Sequence, residues 1–131
     1  MQGGIKGCGK AIFEVYDELI QAMLDSERGH WEVTLVHMEK ARKALDDVER
    51  SCDITSKDEL SFLNALKNDF DSVIRRIRET QESYSVEDVL DRSPLFLESP
   101  DYIRQDYMKI KNLLINTSDT FRLFARGLLR R

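Results

Sequence analysis

From Lys10 to Glu27 apolar residues return at steps of three and four: Ile12, Val15, Tyr16, Leu19, Met23 and Leu24. That spacing keeps to one face of a 3.6-residue turn and predicts an amphipathic first helix. Gly29 follows as a left-handed cap, with Arg28 in the last turn, where a cation suits the helix dipole. Trp31, Leu35, Met38, Ala41, Leu45, Val48 and Cys52 then form a second stripe close to a heptad, with charges such as Glu39, Arg42, Asp46 and Glu49 elsewhere. The break between the stripes is so short that the two helices must fold back as an antiparallel hairpin. Ser56-Lys57-Asp58-Glu59 has the pattern of a capping box and opens a third helix. Its stripe runs through Leu60, Leu63, Leu66, Phe70, Val73, Ile74, Ile77 and Tyr84. Segment 85–99 breaks the regularity at Pro94, and Leu95-Phe96-Leu97 is expected to lie across an end of the fold. Ser99-Pro100 restarts a helix, serine as N-cap and proline in the first turn. There Ile103, Tyr107, Ile110, Leu114, Thr117, Phe121, Phe124 and Leu128 repeat in four-then-three steps, a heptad seam that calls for a partner helix. The fold class is all-α, an antiparallel four-helix bundle.

Composition sharpens this. Four of the six glycines fall within the first nine residues, and only two prolines occur. Residues 1–9 therefore read as a flexible arm and residues 10–131 as a single bundle domain, since both residue types are costly inside helices. Twenty-four acids against twenty bases leave a net charge of −4. That balance argues against nucleic-acid binding, which needs a clustered basic surface. No apolar run approaches the roughly 18 residues of a membrane span, and the first residues lack the apolar core of a secretory signal. Cys8 in the arm and Cys52 at a helix end do not read as a disulfide framework, so a reducing, cytoplasmic setting is expected.

Candidate chemistry is sparse. Glu27 and His30 have the Glu-x-x-His spacing of a di-iron ligand pair, but they straddle Gly29 at a helix break. His37 lies seven residues on, about 10 Å along a helix axis, too far to share a metal with His30. Both histidines read as surface or flank residues. Gly7-Cys8-Gly9-Lys10 ends like a phosphate loop, yet Ala11 stands where Ser or Thr is needed and no strand precedes it. No histidine base accompanies a nucleophile. No catalytic residue, cofactor or metal is expected. The end of the chain is different: after Asp119 there is no acid, while Arg122, Arg126, Arg130 and Arg131 accumulate. Dipole complementarity accounts for this, and so would a partner or an anionic surface.

The residues Arg28, Gly29, Trp31, Glu32 and Leu35 resemble the signature of the FliT-like group of flagellar type III export chaperones. These pair two helices across a short polar break carrying Gly-x-Trp-[Asp/Glu], with leucine soon after and a charged helix following. The likeness extends more loosely through Leu45 and from Ile54 to about Ile77. It implies a cytoplasmic chaperone that holds a secreted flagellar subunit, such as the filament cap, and a last helix that masks the binding surface. Gly29, Trp31 and Leu35 are the structural residues of the hairpin, and a tryptophan could lock the turn of any antiparallel hairpin in the same way. Tyr107, Ile110, Leu114, Phe121, Phe124 and Leu128 would be the partner-binding contacts, exchanged when a competing helix displaces the last one. The alternative is a self-associating structural or signalling bundle, a homodimer through the same seam.

Overall fold

The computed structural model describes residues 2–83 and 101–131, with the backbone alone for residues 2–6, 101 and 102. Among the described residues there are four helices: α1 (Gln2–Glu27), α2 (Trp31–Ser51), α3 (Lys57–Ser83) and α4 (Asp101–Arg130). The predicted all-α bundle is therefore observed. Tyr84, segment 85–99 with Leu95-Phe96-Leu97, and the Ser99-Pro100 cap lie outside the described residues.

Cross-helix pairs give the order around the bundle. Glu18 of α1 meets His37 of α2, and Arg42 of α2 meets Asp71 of α3. Phe62 of α3 meets Phe124 of α4, and Glu27 of α1 meets Lys111 of α4. Each helix thus has its sequence neighbours beside it, and α4 closes the ring on α1. Residue numbers rise on one helix as they fall on the next, so every adjacent pair is antiparallel.

The turns follow their sequence signals. Gly29 has φ +75°. Its N–H bonds the Ser26 carbonyl at 3.1 Å, and that of His30 bonds Asp25 at 2.9 Å. Those two bonds define a Schellman motif, which satisfies the last carbonyls of α1 and reverses the chain at once. At the next corner Ser56 Oγ accepts from the Glu59 N–H at 3.4 Å, half of the capping box. The Glu59 carboxylate turns instead to Arg131 at the end of α4, 3.3 Å away.

The core holds the predicted stripes with two exceptions on α1. Tyr16 and Leu24 are exposed, while Ala11 and Ala22 are buried instead. Alanine at those positions, like the buried Ala41 and Ala44 on α2, leaves room for a close approach of the two helices: Thr34 Oγ1 lies 3.5 Å from the Ala22 carbonyl.

Two expectations about the N-terminus are corrected. Gln2–Gly9 belongs to α1 and is not a flexible arm. Cys8 and Cys52 are joined in a disulfide with Cα atoms 4.6 Å apart. The hairpin explains both. Cys8 and Cys52 are each twenty-two residues from His30 (30 − 8 and 52 − 30), so antiparallel pairing brings them level once α1 continues past Lys10. The bridge holds a helical start that four glycines would leave weak, at roughly 1 kcal/mol each relative to alanine. With it, the cysteine argument for a reducing compartment falls.

Candidate partner-binding surface

The residues assigned to partner binding line the inside of α4. Ile110, Leu114, Phe121, Phe124 and Leu128 are buried and Tyr107 is half-buried. Phe121 stands edge-on to Phe70 with ring centroids 6.4 Å apart, and Phe124 packs on Phe62 at 5.1 Å. With α4 seated these are core contacts, so a partner reaches them only by displacing the helix.

Attachments of α4 cluster toward its two ends. Near its start Tyr107 stacks on Trp31 at 4.7 Å, and burial pushes its phenol above the ordinary tyrosine range. One turn on, Lys111 Nζ reaches Glu27 at 2.7 Å. Just past its last residue, Arg131 pairs with Glu59 and donates to the Cys52 carbonyl. The structural trio of Gly29, Trp31 and Leu35 is therefore brought together at one end of the bundle. Gly29 makes the turn, Leu35 packs half-buried against the core, and Trp31 holds α4 as well as the hairpin.

Between these fastenings the seam contains Thr117 and Ser118. Both are buried, and Thr117 Oγ1 and Ser118 Oγ find no hydrogen-bond partner among the described residues. A buried hydroxyl without a partner costs about 1–3 kcal/mol in lost hydration. The defect sits in the middle of an otherwise apolar interface.

A second surface was not anticipated. Apolar residues on α1 come in adjacent pairs: Ile12 with Phe13, Val15 with Tyr16, Leu19 with Ile20, Met23 with Leu24. The first of each pair faces the core. The second is turned away from it, with Phe13 66% exposed, Leu24 47% exposed and Ile20 half-buried. Toward the end of the bundle that holds the disulfide, Phe13 and Tyr16 line an open groove of about 310 Å³ against Ala125 and Leu129 of α4. Leu129 is itself 62% exposed. Arg122 and Arg126 are the charged residues on this lining. The doubled stripe was the available signal, since four adjacent apolar pairs between Ile12 and Leu24 exceed the three to four apolar residues per two turns that one buried face takes.

Titratable groups serve the helix interfaces. The His37 Nδ1 lies 3.1 Å from Glu18 and its Nε2 3.4 Å from Asp25, so the half-buried ring clamps α2 to α1. His30 lies at the surface of the turn. Between α2 and α3, Arg42 bonds Asp46 at 2.8 Å and Asp71 at 2.9 Å. Partial burial pulls the Asp46 carboxyl up, but Arg42 and Lys67 outweigh it and hold the carboxyl below the usual carboxylate range. Burial likewise disfavours the Arg42 cation, and its two carboxylate partners more than offset this, raising its pKa. Among the described residues no group of three or more His, Cys, Asp or Glu is placed to hold a metal ion, and no helix is long and apolar enough to cross a membrane.

No family model, curated protein or solved structure matches the chain. The reading of its function rests on its own residues.

Proposed function

We propose that this protein is a non-enzymatic helical bundle that binds a helical segment of another protein, with α4 covering the binding surface. The pair of unpartnered hydroxyls at Thr117 and Ser118 carries this reading. They seat α4 less firmly than its apolar residues alone would, and its end ion pairs are partly exposed, where such pairs contribute little. A competing amphipathic helix offering the same knobs would exchange with Tyr107, Ile110, Leu114, Phe121, Phe124 and Leu128.

The form suggested by the resemblance at Gly29, Trp31 and Leu35 is an export chaperone for a secreted flagellar subunit such as the filament cap. The stack of Trp31 on Tyr107 supports it, because the tryptophan of that signature ties the hairpin turn to the covering helix. A cytoplasmic setting belongs to this form. It requires the Cys8–Cys52 bridge to be maintained or opened in a reducing pool, whereas disulfides persist mainly in oxidising compartments. The redox state of the two cysteines in cells is thus a direct check on it.

Native-state hydrogen exchange tests the covering role. Amides between Ile110 and Leu128 should open about 2 kcal/mol more easily than those of α2. Equal protection in the two helices would overturn it. Binding to a purified filament-cap subunit should tighten when the chain is ended near Thr117. A stable homodimer indifferent to that subunit would point to the self-associating bundle instead.

A further inference from the structure

The outer seam between α1 and α4 has a chemistry of its own. Its α1 side is the second half of the doubled stripe, Phe13, Tyr16 and Leu24, and these residues do not complete the core. Its α4 side carries Leu129, which lines the groove with Phe121 and Ala125 and is 62% exposed, and Ile115 is exposed two heptads before it. The antiparallel register set by Glu27 and Lys111 places Leu24 level with Ile115 and Tyr16 level with Arg122. On α4 the groove runs from Phe121 to Leu129, about 12 Å or two turns of helix. An apolar cleft of that length accepts the apolar face of one more helix.

Charge selects among occupants. The groove at the Phe13 end is flanked by Arg122 and Arg126. Arg122 has a loose, exposed ion pair with Asp119 at 3.8 Å, and Arg126 has none among the described residues. Among the described residues no carboxylate lines the groove. A second copy docked about a two-fold axis through the groove would set these arginines against their own symmetry mates. A flat lipid surface would touch Phe13 and Leu129 and leave the recessed Ile12 and Ala125 unfilled.

We propose that the outer α1–α4 groove is a docking site for an amphipathic helix with acidic residues beside its apolar stripe. Phe13, Tyr16 and Leu129 take the apolar face, and Arg122 and Arg126 take the carboxylates. The inference rests on the reading of this protein as a binder of other proteins. It does not rest on the displacement of α4, because the groove exists only while α4 is seated.

A displayed library of random peptides of about 16 residues, a little over four turns, selected on the oxidised full chain, tests it. Selected peptides should carry aliphatic or aromatic residues at three- and four-residue steps with Asp or Glu alongside. A synthetic copy of one should lose about tenfold in affinity on Phe13→Ala. It should lose at least as much on Arg122→Glu with Arg126→Glu, and regain it when the peptide's acids are changed to lysine. Because Phe13 and both arginines are exposed, these variants should keep the parent's circular dichroism. A failure to enrich any peptide would overturn the proposal, as would affinity indifferent to the charge exchange. So would a chain that dimerises through the groove or binds phosphatidylserine vesicles there while ignoring the peptides. Thr117→Val with Ser118→Ala, which seats α4 more firmly, separates the two readings. Binding that survives it supports the groove whether or not α4 opens. Binding lost on firmer seating, and unchanged by the charge exchange, belongs to the opened seam and overturns the groove alone.

Discussion

The α1–α2 interface and the α4 seam both bury an unbroken apolar stripe, yet they are secured in different ways. Between α1 and α2 alanines allow close approach, His37 clamps two carboxylates, a Schellman turn closes one end and a disulfide closes the other. Thr34, buried in the same interface, donates to the His30 carbonyl at 2.9 Å and leaves no orphan. Along α4 the aromatic contacts are as good, but the centre holds two buried hydroxyls that make no hydrogen bond among the described residues, and the outer edge is left apolar and open. The difference separates a part of the molecule built to stay closed from a part that can be exchanged or added to.

The largest expected effect falls on the hairpin. Cys8→Ala with Cys52→Ala, or reduction of the parent, should lower the unfolding free energy by about 4 kcal/mol for a 44-residue separation. Urea denaturation with and without reductant measures it. An unchanged midpoint would remove the basis for calling the hairpin the firmer part.

Trp31→Ala should cost about 2 kcal/mol, from lost half-buried area and the lost stack on Tyr107. The loss should appear in hydrogen exchange at the start of α4 as well as at the hairpin turn. A loss confined to the turn would mean that the tryptophan does not couple the two regions.

Replacing Thr117 by Val keeps the shape and removes one orphan hydroxyl, so the chain should gain about 1 kcal/mol. A destabilised variant would show that the hydroxyl is satisfied in solution, and the contrast between the two interfaces would weaken.

The smallest effect is on the α2–α3 interface. Because the Asp46 pKa is lowered on folding, its contribution is fully present above the unfolded carboxylate value near 3.8. It is lost as pH falls through the lower folded value. Asp46→Asn should therefore flatten the acid limb of the stability–pH curve below about pH 4, by less than 1 kcal/mol for a partly exposed pair. An acid limb of undiminished depth would assign that pH dependence to other carboxylates.

Much of the fold was legible because helices write their buried face into the sequence at a fixed period. The α3 and α4 stripes fell where Leu63, Phe70, Ile110 and Phe121 predicted, and Gly29 and Ser56 mark the α1–α2 and α2–α3 corners. What misled was reading each stretch alone. Glycines argued against a helix at residues 2–9, but the penalty is local and the bridge to Cys52 is not. The two cysteines look distant along the chain and become neighbours only when both are measured from the turn. Tyr16 and Leu24 were assigned inward because periodicity tells that residues share a face, not which of two adjacent apolar faces meets the core. The outer groove was missed for the same reason: it lies between helices far apart in sequence, and neither α1 nor α4 alone contains it.

The bridge from Cys8 to Cys52 makes the hairpin a closed loop of covalent bonds, and this bears on how the chain can be handled as a thread. A cut within Arg28-Gly29-His30 would leave both pieces joined and migrating together on a non-reducing gel. A pore or unfolding motor that draws in the chain from its N-terminus one strand at a time would meet two strands abreast at Cys8. The oxidised protein would stall there and the reduced one would pass.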